Sequence, residues 1–186
     1  MSKLWSGRDD AGKQILSPPG SSLRLELHFR NGGPSISGMN HTALEDKLGY
    51  RFNNPDLLVQ ALTHPSTDSK PETRRAYERL EFLGDAILQL AVTQYLYHHM
   101  PQSPEGELTQ LRARTVSRAN LGKYGFILGL DKHIALGKGE ERAGGRSKNS
   151  IIANTFESVF GAMSLDSNYE TAKAVALRVL HEAQIG

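Results

Sequence analysis

The chain has 186 residues, 38% hydrophobic and 23% charged, a length and composition that suit one or two packed domains. It contains no cysteine, which excludes disulfides, thiol nucleophiles and cysteine-ligated zinc. The formal net charge is +2, but residues 41–186 carry seventeen Lys/Arg and seventeen Asp/Glu. This part of the chain therefore lacks the overall basic character of a typical nucleic-acid-binding domain.

Residues 1–40 differ in composition from the rest. The stretches SPPGSS and RNGGPSISG are rich in breakers, and LRLELHF between them alternates like a short strand. We predict a flexible N-terminal extension. A non-native leader is an equal alternative, since Met39 would make a natural start. The N-terminus shows no signal pattern and no apolar run approaches the ~18 residues of a membrane helix, so we expect a soluble, cytoplasmic protein.

From residue 41 onward the pattern is helical, which predicts one all-α domain over residues 41–186. Thr42 and Glu45 have the spacing of a capping box and predict a first helix that ends at Leu48. The next predicted helix is capped by Asn54, has Pro55 at its first position and is followed by a loop over 65–73. Two long helices are predicted over 74–99 and 107–128, and a glycine-rich charged loop over 137–149 follows them. The last two predicted helices cover 150–166, capped by Ser150, and 169–184.

The stretch ERLEFLGDAIL places three carboxylates, Glu78, Glu81 and Asp85, on one helix face beside an apolar stripe. Acids in such a position are usually the solvated edge of a helix that packs on the core. Two features favour a further role. Glu81 and Asp85 have no basic residue four positions on. Gly84 costs about 1 kcal/mol inside a helix, and its presence indicates that another backbone approaches closely.

A second polar pair, Asn154 and Glu157, lies one turn apart in IIANTFESVFGAM. If the two helices pack side by side, their oxygen-bearing side chains could converge with Glu81 and Asp85. Carboxylate and amide oxygens suit Mg²⁺ or Mn²⁺, and such a site could activate water and neutralise charge on a phosphate. An ordinary helix-edge acid is the alternative for Glu157.

ERLEFLGDAIL closely resembles the signature of ribonuclease III, a family of double-stranded-RNA endonucleases. LEDKLGYRFNNPDLLVQALTHPS, EGELTQLRARTVSRANL and LGKGEERAGGRSKNSIIANTFESVFGAMSLD resemble further family segments in the same order, so the resemblance covers about residues 42 to 183. It implies a helical bundle of the ribonuclease III endonuclease-domain type that is homodimeric and holds duplex RNA in its cleft. It also implies products with 5′-phosphates and short 3′ overhangs, and a role in processing ribosomal and other RNA precursors.

By motif position, the resemblance implies a Mg²⁺ site, and Mn²⁺ would be able to replace Mg²⁺ there. The implied ligands are Glu81, Asp85, Asn154 and Glu157. Asp85 and Glu157 are the implied catalytic acids. The implied reaction is phosphodiester hydrolysis. One ion would activate water, and a second, recruited with substrate, would stabilise the leaving 3′-oxygen. Glu78 matches an acid that shapes the cleft.

The resemblance also implies contacts with other molecules. Phe82 matches an aromatic residue that packs into a socket on the partner subunit, with packing inside its own subunit as the alternative. The candidate RNA-binding residues are Thr63, His64, Arg112, Arg114, Arg146 and Lys148. Thr63 and His64 match a family segment near the RNA, whereas the four basic residues could equally be solvated.

Two departures from the family pattern leave alternatives open. Many members have Asp where this chain has Asn154. Either Asn154 still ligates the metal through its amide oxygen, which we favour, or a natural or engineered change has left a weakened or inactive duplex-RNA-binding dimer. The chain also ends at Gly186, where a double-stranded-RNA-binding domain usually follows in the family, so the sequence is either a catalytic-domain fragment or a naturally short form. In both cases we expect weak, salt-sensitive RNA binding.

Overall fold

The computed structural model describes residues 41–68 and 70–185, so the predicted N-terminal extension lies outside the described residues. Within that part, regular structure is helical apart from an isolated parallel bridge between Thr63 and Ala135, and the all-α fold class is confirmed. The helices are α1 (Thr42–Leu48), α2 (Pro55–Leu62), α3 (Pro71–His99), α4 (Glu105–Thr115), α5 (Arg118–Leu128), α6 (Leu130–His133), α7 (Lys138–Arg142), α8 (Asn149–Asp166) and α9 (Tyr169–Ile185). Among these described helices, none has the length and hydropathy needed to cross a membrane.

Helix α8 lies at the centre of the core. Its side chains from Ile152 to Met163 are mostly buried, because helices α2, α3, α5 and α9 pack around it. Phe156 and Phe160 are fully buried, with ring centroids 4.8 Å apart. A helix that is apolar on most sides is a core helix, and its few polar positions therefore need a specific environment.

Helices α3 and α8 cross with their backbones in contact. A β-carbon on Gly84 would lie 1.8 Å from the carbonyl oxygen of Glu157, and one on Gly161 would lie 2.2 Å from the carbonyl oxygen of Leu80. Only a residue without a β-carbon fits at either position. The close approach predicted at Gly84 is confirmed, and it holds the polar faces of the two helices side by side.

Asp166, the last residue of α8, joins that helix to the start of α2. Its carboxylate accepts hydrogen bonds from the Tyr50 hydroxyl at 2.6 Å and from the backbone N–H groups of Asn53 and Asn54, each at 2.8 Å. Asn54 in turn caps α2, with Pro55 at the first helical position, as predicted. The carboxylate thus fixes a turn far from it in sequence.

Two predicted boundaries are wrong. The helix predicted over 107–128 is interrupted at Val116, and Ser117 caps the new helix α5 through its side chain. Helix α3 begins at Pro71, inside the predicted loop, because proline is well accommodated in a first turn, where its missing N–H has no partner to lose.

The capping box predicted for α1 is also wrong. The N-cap position is His41 rather than Thr42, and the His41 side chain makes no cap hydrogen bond. The Glu45 carboxylate instead accepts a hydrogen bond from the backbone N–H of Phe52 at 2.9 Å, which ties α1 to the loop before α2.

The predicted glycine-rich loop over 137–149 is largely regular. It contains the short helix α7 and a 3₁₀ turn at Gly145–Ser147. Helix α8 begins at Asn149 with Lys148 in the N-cap position, so the predicted cap at Ser150 is wrong.

Candidate active site

The facing sides of α3 and α8 line an open cleft of about 530 Å³. The lining residues are Glu78, Glu81, Phe82, Asp85, Asn154 and Glu157. All six are site residues predicted from the sequence, and the backbone contact at Gly84 is what brings the two groups together.

Burial differs among the polar members of the cleft. Glu78 and Asp85 are exposed, whereas Glu81, Asn154 and Glu157 are half-buried. The fully buried core lies directly behind them, where the Tyr77 hydroxyl and the Thr155 hydroxyl are hydrogen-bonded at 3.0 Å. The cleft is therefore open to solvent at Glu78 and Asp85 and partly shielded from solvent at Glu81, Asn154 and Glu157.

Uncompensated negative charge accumulates at the base. Burial, followed by the charges of Asp85 and Glu81, raises the pKa of Glu157 to about 7, against a smaller opposing effect of Arg118. Three carboxylates in one partly desolvated space cannot all ionise without cost. Such a cleft attracts protons or, in their place, a cation.

Burial likewise raises the pKa of Glu81, and the charge of Arg118 is the largest influence that opposes it. A hydrogen bond from Asn154 also lowers the pKa of this carboxyl group. Asn154 therefore already interacts with one of the acids as a neutral donor.

Arg118 is a residue that the sequence analysis missed. It is the first residue of α5, and its carbonyl oxygen accepts a hydrogen bond from the Asn149 side chain at 2.8 Å, at the start of α8. Ser117, a favourable N-cap residue just before it, is the sequence signal that could have indicated the start of a new helix at Arg118. In the continuous helix predicted over 107–128, nothing distinguishes Arg118 from the other solvated residues.

The donor set fits a hard divalent cation in its chemistry. Four oxygen-bearing side chains, from Glu81, Asp85, Asn154 and Glu157, share the cleft, with no sulfur or imidazole ligand among its lining residues. Burial and the neighbouring carboxylates, which raise the pKa of Glu157, outweigh the opposing charge of Arg118. In the described residues, however, no group of three His, Asp or Glu side chains is arranged to hold a metal ion.

The predicted RNA-binding residues Thr63 and His64 belong to a tight turn after α2. The Thr63 hydroxyl donates to the carbonyl oxygen of Val59 at 2.6 Å. The Nδ1 atom of His64 is hydrogen-bonded to the Ser66 hydroxyl at 2.8 Å, and its ring packs edge-on against Tyr77. Neither Thr63 nor His64 is among the residues that line the cleft.

The four predicted basic contacts have different surroundings. Arg112 donates to the Thr93 hydroxyl at 3.3 Å, and Arg114 is exposed. Arg146 donates to the carbonyl oxygens of Asp131 and Ile134 at 2.6 and 2.8 Å. Its guanidinium therefore makes hydrogen bonds to the backbone within the domain.

Lys148, the last of these basic residues, pairs with Glu140 at 2.6 Å.

A sequence profile described as Ribonuclease-III-like matches residues 54–183. The chain belongs to the ribonuclease III family. Ribonuclease 3 of Carboxydothermus hydrogenoformans is 44% identical over 145 residues, which cover 77% of this chain and 62% of that protein. Ribonuclease 3 of Syntrophotalea carbinolica is 44% identical over 134 residues, which cover 71% of this chain and 58% of that protein. The chain thus spans less than two thirds of these ribonuclease III relatives.

Among solved structures, the nuclease domain of ribonuclease III from Campylobacter jejuni superposes with a TM-score of 0.74 at 40% identity, covering 77% of this chain and 98% of that domain. Dicer from Pichia stipitis superposes with a TM-score of 0.52 at 24% identity, over 72% of this chain, which shows a shared fold alone. The match to a ribonuclease III nuclease domain therefore accounts for nearly all of that domain.

Proposed function

We propose that this chain is an endoribonuclease that hydrolyses phosphodiester bonds in double-stranded RNA at the cleft between α3 and α8. The observation that carries the proposal is the raised pKa of Glu157, about 7, in a cleft shared with Glu81 and Asp85. An acidic cleft that favours a cation, in a ribonuclease III domain, suits metal-assisted phosphodiester hydrolysis.

Glu81, Asp85, Asn154 and Glu157 would hold the cation, Mg²⁺ with Mn²⁺ as a substitute. When bound, a divalent ion supplies Lewis-acid chemistry, in which it polarises a phosphate and lowers the pKa of water. The residues of the chain supply the negative charge and its placement. We assign catalysis to Asp85, at the exposed mouth, and to Glu157, at the half-buried base, while Glu78 shapes the margin.

The substrate and products follow from family membership. We propose duplex RNA as substrate, products with 5′-phosphates and short 3′ overhangs, and processing of ribosomal and other RNA precursors in the cytoplasm as the role. Thr63, His64, Arg112, Arg114 and Lys148 are the proposed backbone contacts.

Arg146 is the weakest of the proposed RNA contacts, since its guanidinium is bound to backbone carbonyl oxygens within the domain.

We also propose that the working form is a homodimer. Phe82 is 80% exposed, although it is a large apolar residue at the edge of the cleft. A second pocket, of about 200 Å³, lies between α4 and the end of α3 and is lined by Leu96, Tyr97 and Leu108 among others. A phenylalanine side chain would fill much of such a pocket.

The spacing along α3 supports pairing of two copies. Phe82 and Thr93, which lines the second pocket, are eleven residues apart, about three turns, and hence on one face of α3. Two antiparallel α3 helices related by a two-fold axis would therefore set each Phe82 over the pocket of the other. The Campylobacter jejuni nuclease domain contains a region involved in dimer formation.

One observation favours a second function, that of a duplex-RNA-binding dimer without activity. The neutral Asn154 side chain lowers the pKa of Glu81, so it favours the ionised form of that acid but adds no negative charge of its own to the site.

The deciding experiment incubates the chain with a labelled RNA duplex in the presence of Mg²⁺, Mn²⁺ or Ca²⁺, with single-stranded RNA as the control. We expect cleavage of the duplex with Mg²⁺ and Mn²⁺, binding without turnover in Ca²⁺, and loss of cleavage in Glu157→Ala. Binding without cleavage in every metal would favour the inactive dimer. Full Mg²⁺-dependent activity of Glu157→Ala would refute the assigned site.

A further inference from the structure

His41 and His133 bring two imidazole rings together from positions 92 residues apart in the chain. Their Nδ1 atoms are hydrogen-bonded at 3.3 Å, and the ring centroids are 5.5 Å apart with a tilt of 53° between the rings. The rings therefore meet through their Nδ1 edges and are not stacked face to face. Neither residue lines the cleft between α3 and α8, so the pair is separate from the candidate active site.

Backbone hydrogen bonds hold both histidines in place. His41 is the N-cap of α1, and its carbonyl oxygen accepts from the backbone N–H of Glu45 at 3.0 Å. His133 is the last residue of α6. Two positions on, the backbone N–H of Ala135 donates to the carbonyl oxygen of Leu62, at the end of α2, at 2.8 Å. The approach of the two rings is therefore a consequence of the fold.

The surroundings of His41 disfavour a charged ring. Its side chain is 9% exposed, and no described residue offers a hydrogen-bond partner to its buried Nε2 atom. An imidazolium carries an N–H on both nitrogens, so protonation would leave a charged donor buried at Nε2 without an acceptor. Burial also lowers the pKa of both imidazoles from the ordinary value. The pair is therefore neutral at about pH 7.5, and neutral imidazole is the form that binds metal ions.

The distance between the two Nδ1 atoms is that of two ligands of one ion. A tetrahedral zinc ion holds imidazole nitrogens at about 2.0–2.1 Å, which places two such nitrogens about 3.3–3.4 Å apart. In the hydrogen-bonded pair, one proton lies between the nitrogens at 3.3 Å. When that proton moves to Nε2 of its own ring, both Nδ1 atoms present a lone pair. A small rotation of each ring then directs both lone pairs at one ion.

We propose that Nδ1 of His41 and Nδ1 of His133 bind a divalent transition-metal ion such as Zn²⁺, and that water completes its coordination. Imidazole nitrogen suits Zn²⁺, Ni²⁺ and Cu²⁺, whereas Mg²⁺ prefers oxygen ligands. The ion therefore differs in chemical class from the one proposed for the cleft. It would join the start of α1 to the end of α6.

The pair supplies two protein ligands, since the described residues contain no group of three His, Asp or Glu side chains arranged around an ion. Glu45 is one turn along α1 from His41, but its carboxylate already has other partners. It accepts a hydrogen bond from the backbone N–H of Phe52 at 2.9 Å and pairs with Arg51 at 3.1 Å. The remaining coordination positions are therefore assigned to water, which leaves the ion exchangeable.

Titration with Zn²⁺, in an excess of Mg²⁺ that would compete for the carboxylates of the cleft, tests the site. We expect the imidazole resonances of His41 and His133 to shift together and to saturate at one ion per chain, with a rise in melting temperature. His41→Gln and His133→Gln should each weaken Zn²⁺ binding by at least about tenfold, because even the loss of an outer-shell partner costs about ten- to a hundredfold.

Matched controls come from two exposed histidines, His98 on α3 and His181 on α9. His98→Gln and His181→Gln each remove one imidazole and should leave the Zn²⁺ affinity within about twofold of the unaltered chain. His133 is only half-buried, so His133→Gln is the ligand variant expected to keep the fold. Its melting temperature without Zn²⁺ checks this.

Three results would overturn the site. Imidazole resonances of His41 and His133 that do not move with Zn²⁺ would exclude binding at the pair. Full Zn²⁺ affinity in both His41→Gln and His133→Gln would place the ion elsewhere. An equal loss of affinity in His98→Gln, or uptake of several ions by every variant alike, would show adventitious binding to surface histidines. Cleavage of duplex RNA with Mg²⁺ is scored separately, and neither result decides the other.

Discussion

The carbonyl oxygen of Glu157 occupies the space that a β-carbon on Gly84 would need, 1.8 Å from the ideal position of that atom. The neighbouring atoms are backbone, which cannot rotate away as a side chain can. The contact therefore sets the distance between the acids of α3 and those of α8.

Gly84→Ala should separate the two helices and destabilise the fold by about 3 kcal/mol or more, since overpacking against backbone admits no easy relaxation. Thermal or urea unfolding measures the loss. Gly106→Ala is the matched control, because Gly106 is on α4 with nothing within 4 Å of an added β-carbon, and alanine there should be neutral or stabilising. Equal stability of the two variants would contradict the backbone contact.

Glu157 should make the metal-free protein less stable as the pH rises. Its pKa is raised from 4.5 to about 7, so the folded state binds more protons than the unfolded state between these values. Stability from the protonated group is present below pH 4.5 and is lost as the pH rises through about 7.

Glu157→Gln, which stays neutral, should remove much of this pH dependence. We expect its melting temperature at about pH 8 to exceed that of the unaltered chain by about 2–4 °C, a modest value because solvent screens part of the effect. Glu107→Gln, at an exposed position on α4, is the control and should follow the unaltered chain. If the melting temperature of Glu157→Gln depended on pH as strongly as that of the unaltered chain, the raised pKa would not belong to Glu157.

Asn154→Asp should strengthen metal binding and weaken the metal-free fold. The new carboxylate would add a charge beside Glu81 and Glu157, which raises the pKa of both groups in the absence of a cation. We expect the Mg²⁺ concentration for half-maximal cleavage, and for half-maximal rise in melting temperature, to fall by about tenfold. Unchanged Mg²⁺ dependence in both measurements would show that residue 154 is not a ligand.

Arg118→Gln should raise the pKa of both Glu81 and Glu157, because Arg118 is the basic residue that lowers both values. Titration of the carboxyl carbon resonances in metal-free protein measures this directly. Arg114→Gln, an exposed arginine on α4, controls for the change in net charge. If both variants gave equal shifts, Arg118 would have no special position at the cleft.

Phe82→Ala should dissociate the proposed dimer while leaving the subunit folded. Removing an aromatic side chain at the centre of an interface typically weakens the free energy of association by about 2 kcal/mol or more. The dissociation constant of the dimer would then rise at least about 30-fold. Sedimentation or light scattering over a range of protein concentrations measures it. Leu165→Ala, at another apolar residue with 57% exposure, should leave the assembly unchanged. A monomeric unaltered chain, or a Phe82→Ala dimer of full affinity, would contradict the proposal.

Local patterns were sufficient for much of the fold and for the members of the cleft. Helical periodicity located most helices, and Gly84, unfavourable inside a helix, correctly indicated a close backbone approach. The interruption at Val116 was not predicted, because polar and apolar residues continue through it with helical spacing.

The surroundings of single charges depend on tertiary packing and could not be predicted. Arg146 was predicted to contact RNA, with a solvated side chain as the alternative, yet its guanidinium donates to the carbonyl oxygens of Asp131 and Ile134. Arg118 affects the cleft because α5 begins beside Asn149, a relationship between segments that sequence spacing does not specify.

The hydrogen bonds to Asp166 bear on the order of folding. This carboxylate satisfies the backbone N–H groups of Asn53 and Asn54, more than a hundred positions earlier in the chain. Contacts of such long range form slowly, because a large loop must close before they contribute. During synthesis the early helices would therefore leave the ribosome without their central partner and stay incompletely packed until α8 has emerged.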